Sequence, residues 1–260
     1  MRRVNLFLKG NLDVRDSLHS LRLNGSVQWN GVNEIIRADF PEAVVRVQHE
    51  TWTRSDALLE SDGNVPSDLA QRTLPLGAYP PASQFSQTLF ETRADAVVLS
   101  IQPDIATNLL RHRQDNYLLQ PGDMADYAPS DREWLRAHFE PVDALDVSTS
   151  MANFRDIVDR CRSRSDAPVL VYNVSAVVPG DKIHCHGGLD DILSTRIKRF
   201  NLGLIELSQQ TGISIVDVDA IVARHGADRL KIDALHLNAE GCRLVAEEVV
   251  SILSDLGVVQ

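Results

Sequence analysis

The sequence predicts an α/β protein: a three-layer α/β/α sandwich, flavodoxin-like in arrangement, with a mostly parallel sheet of five strands. Short apolar or β-branched runs recur along the 260-residue chain, each of a length that suits one buried strand. Stretches with apolar residues at helical spacing separate these runs, and this alternation is typical of parallel sheets covered by helices. With 43% hydrophobic and 24% charged residues, the composition is that of a globular protein, and we expect a single domain over residues 1–260.

The five strands are predicted from their apolar composition and from the turn residues that end them. Lys9-Gly10-Asn11 ends the first strand, and Gln102-Pro103-Asp104 ends the third. In parallel sheets ligands bind beyond the carboxyl ends of the strands, so the loops that follow these segments are where a site is expected. The predicted strands cover residues 4–8, 43–47, 94–101, 168–173 and 213–218.

Helices are predicted between the strands from apolar residues at helical spacing. One such pattern begins at Trp29 and stops before Pro41, since proline disfavours a helical residue in front of it. A longer helix is predicted over residues 192–210. The last helix covers about residues 239–256, with Asn238 as its N-cap because an asparagine side chain can accept from the first free N–H groups.

Two segments are predicted as insertions into this sandwich. Residues of about 61–86 and 114–131 are rich in turn-forming residues and show little periodicity. Long irregular segments in a compact domain are often functional. We therefore expect that at least one of them covers the pocket as a lid, the alternative being a mobile surface loop.

Charge and cysteine usage exclude several classes of partner. The formal net charge of -10 argues against nucleic acid and against an anionic membrane surface, because both require clustered cations. The three cysteines are an odd number without CxxC spacing, which predicts no disulfide framework and no structural zinc. No signal peptide or membrane span is indicated. We expect a cytoplasmic protein that binds a small molecule, and the sequence does not indicate the oligomeric state.

The most informative motif is Asp233-Ala-Leu-His236, directly before the last predicted helix. A histidine acts as a general base on a hydroxyl when a carboxylate fixes its tautomer and stabilises the imidazolium. Asp233 and His236 are therefore candidate catalytic residues. The alternative is that Asp233 only precedes a helix and that His236 is a structural histidine.

With its strand order and this motif, the chain resembles a divergent SGNH, or GDSL-type, hydrolase. That family has a nucleophilic serine after its first strand, oxyanion donors after the second and third, and an Asp-x-x-His pair before the last helix. The resemblance covers nearly the whole chain apart from the insertions. It implies acyl-enzyme chemistry on an ester or amide of a small polar molecule, with Asp233 orienting His236.

The nucleophile is where the chain departs from the family. The family reads Gly-Asp-Ser-Leu directly after the first strand, and two segments here compete for that position. If Gly10-Asn11-Leu12 occupies it, the nucleophile is lost. If Arg15-Asp16-Ser17-Leu18 occupies it, Ser17 is the nucleophile. The spacing from Ser17 to Trp29 resembles the family's and favours Ser17, with a helix N-cap as its structural alternative.

The other family blocks are also altered. Arg54, after the second strand, is a candidate for binding a carboxylate or phosphate of the substrate, or else a surface partner of Asp56. The third block offers Ser100 and Gln102, where Gln102 carries the same amide donor as the family's asparagine on a longer side chain. Asn11 completes the candidate oxyanion or substrate-binding residues.

No metal or other cofactor is expected. His184-Cys185-His186 resembles a metal site, but no further ligand follows at a recognisable spacing. The sequence thus predicts a serine-dependent hydrolase or acyltransferase. The alternative is a diverged protein without the serine, which acts as a ligand-binding protein or as a biosynthetic enzyme of different chemistry.

Overall fold

The structure is a computed structural model, and it describes residues 2–51, 54–177 and 192–260. Its strands are β1 (Arg2–Gly10), β2 (Leu21–Leu23), β3 (Ser26–Trp29), β4 (Ala43–Thr51), β5 (Ala96–Ser100), β6 (Leu109–His112), β7 (Leu118–Leu119), β8 (Phe139–Val142), β9 (Val169–Tyr172) and β10 (Ser214–Val216). Its α-helices are α1 (Leu12–Leu18), α2 (Asn33–Asp39), α3 (Ser55–Glu60), α4 (Ser67–Ala70), α5 (Pro81–Gln84), α6 (Gln102–Ala106), α7 (Pro129–His138), α8 (Val147–Arg162), α9 (Leu193–Thr211), α10 (Val218–His225), α11 (Ala227–Leu230) and α12 (Ala239–Asp255).

A parallel sheet of five strands forms the centre of the molecule, in the order β10-β9-β5-β1-β4. These are the five strands that the sequence predicts. The chain passes from β1 to β4 on one side and returns to β5 on the other. The strand order therefore reverses between β1 and β5, and their carboxyl ends mark the place where such a sheet binds ligands.

Helices cover both faces of the sheet, which gives the predicted three layers. Along β1, Leu6 and Leu8 face one hydrophobic cluster and Phe7 faces the other, as the two-residue period of a strand requires. Helices α1, α2, α10 and α12 pack on the first face, and α3, α8 and α9 on the second. Within the described residues, no helix combines the length and apolar character that crossing a membrane requires.

The predicted insertions contain more structure than expected. Helices α4 and α5 lie in the first insertion. Strand β7 lies in the second, and it forms a small antiparallel sheet with β6 and β8, which flank that insertion. The two segments share a hydrophobic cluster of their own, which includes Leu69, Phe85, Leu119 and Tyr127. The strands are too short to show periodicity, and β6 pairs with a strand some way along the chain, so local pattern does not reveal this sheet. The role of these segments as a lid stays a prediction.

Three local expectations differ from the structure. Trp29 ends strand β3 instead of beginning a helix, and its indole Nε1 donates to the carbonyl of Ser17 at 2.7 Å. Asp217 is not on the fifth strand but caps helix α10, where its side chain accepts from the N–H of Ala220. Helix α1, which follows Asn11 directly, is not among the predicted helices. By contrast, Asn238 is the N-cap of α12 as predicted, since its side chain accepts from the N–H of Gly241.

Candidate active site

A cavity of about 280 Å³ lies beyond the carboxyl ends of β1 and β5, at the point where the strand order reverses. Three predicted site residues line it: Asn11, Gln102 and His236. They come from the loop after β1, the start of α6 and the turn before α12. The insertions contribute part of the opposite wall. The remaining lining residues are Tyr79, Ala106, Thr107, Asn108, Gln120, Pro121, Gly122 and Leu235.

The Asp233 carboxylate organises the turn that carries His236. Its Oδ1 accepts the backbone N–H groups of Leu235 at 2.8 Å and of His236 at 2.9 Å, and its Oδ2 lies 2.8 Å from Nδ1 of His236. Partial burial alone would raise the pKa of Asp233, but these N–H groups and the imidazole outweigh it and lower the pKa. Since a carboxylate only accepts, Nδ1 carries the proton and Nε2 is left as the basic nitrogen.

Lys231 holds this turn against the sheet. Its ammonium donates to the carbonyl oxygens of Ser175 at 3.3 Å, Val177 at 2.8 Å and Ala234 at 2.8 Å. The residue is buried, and burial lowers the pKa of Lys231 to about 8. Lys231 also forms a β-bridge with Leu237, so the turn is closed at its base. Sequence reasoning missed this residue, because a lone lysine carries no motif.

Asn11 offers a hydrogen-bond donor to the cavity. Its Oδ1 accepts the backbone N–H of Leu12 at 2.8 Å and the hydroxyl of Tyr79. A backbone N–H can only donate, so the orientation of the amide is fixed. Nδ2 of Asn11 makes no hydrogen bond within the described ranges, and it is therefore the group that can donate to a ligand.

The side-chain amide of Gln102 is directed toward the turn that carries His236. Its Nε2 lies 3.4 Å from the carbonyl of Leu235, while its Oε1 is buried without a hydrogen-bond partner. One N–H of Gln102 is thus directed to the backbone of the turn before α12, and its predicted role as an oxyanion donor stays a prediction. The hydroxyl of Ser100 donates to the Asp13 carboxylate and accepts the N–H of Gln102 at 3.0 Å. Ser100 thus supports Gln102 and does not line the cavity.

Asp13 is a residue near the site that sequence reasoning did not select. Desolvation raises the pKa of Asp13 to about 6, although the hydroxyl of Ser100 and the nearby imidazole of His236 favour its charged form. The sequence holds one signal, the place of Asp13 in the loop that is predicted to follow the first strand.

The structure does not bring Ser17 to His236. Ser17 lies in the last turn of α1 and is fully buried, and its hydroxyl donates to the carbonyl of Asp13 at 2.7 Å and lies 3.1 Å from the hydroxyl of Tyr172. Neither ring nitrogen of His236 bonds to it in the part of the chain that the structure describes. A nucleophilic role for Ser17 therefore requires helix α1 to rearrange, and it stays a prediction.

Arg54 is also placed away from the cavity. It is 1% exposed, and its guanidinium donates to both carboxylate oxygens of Asp56, at 3.0 and 2.5 Å. A third bond, of 2.9 Å, reaches the carbonyl of Asp143. These bonds favour the structural alternative, in which Arg54 pairs with Asp56, although the pair is buried and not on the surface.

The segment that resembles a metal site lies outside the described residues. His184, Cys185 and His186 belong to the segment 178–191, of which nothing is described. Within the described ranges, no three histidine, cysteine or acidic side chains converge as a metal site requires. The expected lack of a metal stays a prediction.

Comparison with known proteins relates the chain to ester hydrolases by fold. No protein-family model and no curated protein sequence matches it. Among solved structures, it is similar to LAE5, an α/β hydrolase enzyme from the metagenome of Lake Arreo, with a TM-score of 0.52 and 14% identity over 99% of this chain and 96% of that chain. The acetylxylan esterase Axe2 from Geobacillus stearothermophilus gives 0.51 and 13%, over 99% and 96%. A lipolytic G-D-S-L family protein from Veillonella parvula gives 0.50 and 11%, over 96% and 98%. At these identities the likeness concerns the fold.

Proposed function

Because this chain has the fold of the SGNH hydrolases, we propose that it acts on esters of small polar molecules, with His236 and Asp233 activating the hydroxyl that attacks the carbonyl. One observation carries the proposal: the imidazole of His236 lines the cavity while its Nδ1 is held 2.8 Å from the Asp233 carboxylate. A base that is fixed in one tautomer and open to a cavity is suited to general-base catalysis.

The proposed step is direct acyl transfer to an external hydroxyl. Nε2 of His236 takes the proton of a water molecule or an alcohol, whose oxygen forms a bond to the ester carbonyl carbon. Asp233 stabilises the imidazolium, and Nδ2 of Asn11 donates to the carbonyl oxygen as negative charge develops there. When the tetrahedral intermediate collapses, the bond to the leaving oxygen breaks and the imidazolium returns the proton to that oxygen.

The proposal uses no serine of the chain. None of the described residues that line the cavity is a serine. The loop after β1 places Asn11 at the N-cap of α1 and Leu12 at its first position. This geometry supports the alignment in which the family's serine position is lost. The competing route, through an acyl ester on Ser17, requires its hydroxyl to leave the carbonyl of Asp13.

The test is ester hydrolysis by matched variants, with p-nitrophenyl acetate and 1-naphthyl acetate as substrates. His236→Ala should lower kcat by about 10²- to 10⁴-fold, the usual contribution of a general base. Asp233→Asn should lower kcat by a similar factor, because the negative charge that stabilises the imidazolium is lost. The turn should keep its shape, since the amide oxygen of asparagine can still accept the backbone N–H groups of Leu235 and His236. His225→Ala is the matched control, since His225 lies at the end of α10 and not in the cavity lining. Full activity of His236→Ala would contradict the proposal.

A second candidate function is ligand binding without catalysis. The observation that favours it is the lack of a serine among the described residues of the cavity. In that case no ester would be turned over by any variant, and a ligand would bind equally well to wild type and to Asp233→Asn. Measurable hydrolysis that depends on His236 excludes this candidate.

A further inference from the structure

The first insertion, residues of about 61–86, contributes a side chain to the cavity beside His236. Tyr79 lines this cavity and is half-buried, and its hydroxyl donates to Oδ1 of Asn11. Asn11 is the residue whose Nδ2 donates to the ester carbonyl in the proposed reaction. The insertion therefore contacts the proposed chemistry through the hydroxyl of Tyr79.

The hydroxyl of Tyr79 helps to determine which way the Asn11 amide points. Oδ1 of Asn11 accepts both this hydroxyl and the backbone N–H of Leu12, at 2.8 Å, so both lone pairs of the oxygen are occupied. Burial and the nearby Asp13 carboxylate raise the pKa of Tyr79 to about 12, so the hydroxyl keeps its proton at neutral pH. Because two donors hold the oxygen, Nδ2 is directed away from them and stays available to a ligand.

Two contacts hold the backbone around Tyr79 against the carboxyl ends of β1 and β4. The hydroxyl of Thr51, the last residue of β4, donates to the carbonyl of Ala78 at 2.5 Å. The ammonium of Lys9, in β1, is 1% exposed and donates to the carbonyl of Ser83 at 3.0 Å. Because both donors belong to strands of the central sheet, Tyr79 is anchored to the same edge of the sheet as Asn11.

Gln84 joins Tyr79 to the second insertion. This residue is 5% exposed, and its Nε2 donates to the carbonyl of Tyr79 at 2.6 Å and to the carbonyl of Gln120 at 3.1 Å. Its Oε1 accepts the backbone N–H of Gln120 at 2.8 Å. Contacts from both insertions thus fix the position from which the hydroxyl of Tyr79 reaches Asn11.

We propose that Tyr79 is a positioning residue for the proposed ester hydrolysis: its hydroxyl holds the Asn11 amide so that Nδ2 faces the oxygen on which negative charge develops. This inference rests on the proposed function, because it concerns the oxyanion donor of that site. A donor that is aligned with the developing charge stabilises the transition state more than it stabilises the bound ester. Loss of the Tyr79 hydroxyl should therefore lower kcat and leave KM nearly unchanged.

The experiment is a double-mutant cycle on kcat for p-nitrophenyl acetate, with Tyr79→Phe, Asn11→Ala and the double variant. Tyr79→Phe should lower kcat by about tenfold, the typical effect of one hydrogen bond, and Asn11→Ala should lower it by about a hundredfold or more. In the Asn11→Ala background, Tyr79→Phe should have no further effect, because the amide that it positions is gone. Tyr117→Phe is the matched control and should keep the kcat of the wild type, since its hydroxyl donates to Asp68 and Tyr117 does not line the cavity.

The outcomes separate this inference from the proposed function. If Tyr79→Phe lowers kcat by the same factor in the Asn11→Ala background, Tyr79 acts independently of Asn11 and the inference is overturned. A Tyr79→Phe variant with the kcat of the wild type, or one whose loss lies wholly in KM, would overturn it as well. Each of these results leaves the esterase proposal standing as long as hydrolysis depends on His236.

If the wild type hydrolyses no ester, the proposed function fails, and the side-chain amide of Asn11 is then observed directly by proton–nitrogen correlation NMR. Its signals are assigned by their absence in Asn11→Ala. We expect Tyr79→Phe to shift these signals, because Oδ1 loses one of its two donors, and Tyr117→Phe to leave them in place. Signals that Tyr79→Phe does not move would overturn the positioning role.

Discussion

Lys231 fixes the turn that carries His236, so its replacement by methionine tests how that turn is held. Methionine keeps an unbranched apolar side chain in the buried site but removes the ammonium. The variant loses the hydrogen bonds to the carbonyls of Ser175, Val177 and Ala234. Each such bond contributes about 1 kcal/mol or more, so we expect the variant to be less stable at neutral pH. We also expect a lower kcat, because His236 is no longer held beside the cavity.

The stability difference between the wild type and Lys231→Met should also depend on pH. Burial lowers the pKa of Lys231 from 10.5 to about 8. Between these two values the unfolded chain still holds a proton that the folded chain has released, so the free energy of unfolding rises with pH. One pKa unit corresponds to about 1.4 kcal/mol, and the wild type therefore gains about 2 to 3 kcal/mol from this group between about pH 7 and pH 10. The methionine variant lacks this gain.

The assay is urea unfolding of the wild type and of Lys231→Met at several pH values in that range. The stability difference between the two proteins should widen in favour of the wild type as the pH rises, by about 2 to 3 kcal/mol in total. Using the difference cancels the titration of all other groups. A stability difference that stays constant from pH 7 to pH 10 would show that Lys231 titrates normally and would refute the reasoning on its burial.

Three further substitutions test other parts of the structure. Gly31→Ala should destabilise the fold by about 3 kcal/mol or more in chemical unfolding, because Gly31 has a φ of +82° and a Cβ there would lie 2.3 Å from the carbonyl oxygen of His19. A loss below about 1 kcal/mol would contradict that close approach. Arg54→Lys should lower the free energy of unfolding by about 2 kcal/mol, because lysine cannot form the bidentate pair with Asp56. The KM should stay unchanged, and a raised KM would instead support a substrate-binding role for Arg54. Asp146→Ala should cost about 1 kcal/mol, measured as a lower Tm, because Asp146 caps α8; an unchanged Tm would argue against the cap.

The central sheet could be predicted because each of its strands can be recognised from a short, continuous stretch of sequence. The central strands β1, β5 and β9 contain apolar runs buried on both faces of the sheet, and turn residues follow them. The small sheet of β6, β7 and β8 could not be predicted, since its strands have two to four residues and share a hydrophobic cluster with distant residues of the first insertion. The place of Trp29 could not be predicted for a related reason: its apolar spacing suits a helix, but it pairs with Leu21 across a hairpin.

The site could be predicted in part. Asp233 and His236 were found because a carboxylate and an imidazole three residues apart form a local unit that needs no distant partner. The orientation of Gln102 could not be predicted, because it depends on the carbonyl of Leu235, 133 positions away. The same limit applies to Ser17: its sequence spacing suits a nucleophile, while its burial follows from the length of α1 and from contact with Tyr172.

The most direct test of the central claim is mass spectrometry of the intact protein after acid quenching during hydrolysis of p-nitrophenyl acetate. If His236 activates an external hydroxyl, product forms while the protein keeps its unmodified mass, and Ser17→Ala hydrolyses the ester as fast as the wild type. An acetyl group that is found on Ser17 at early times, and is lost as turnover is completed, would contradict the account.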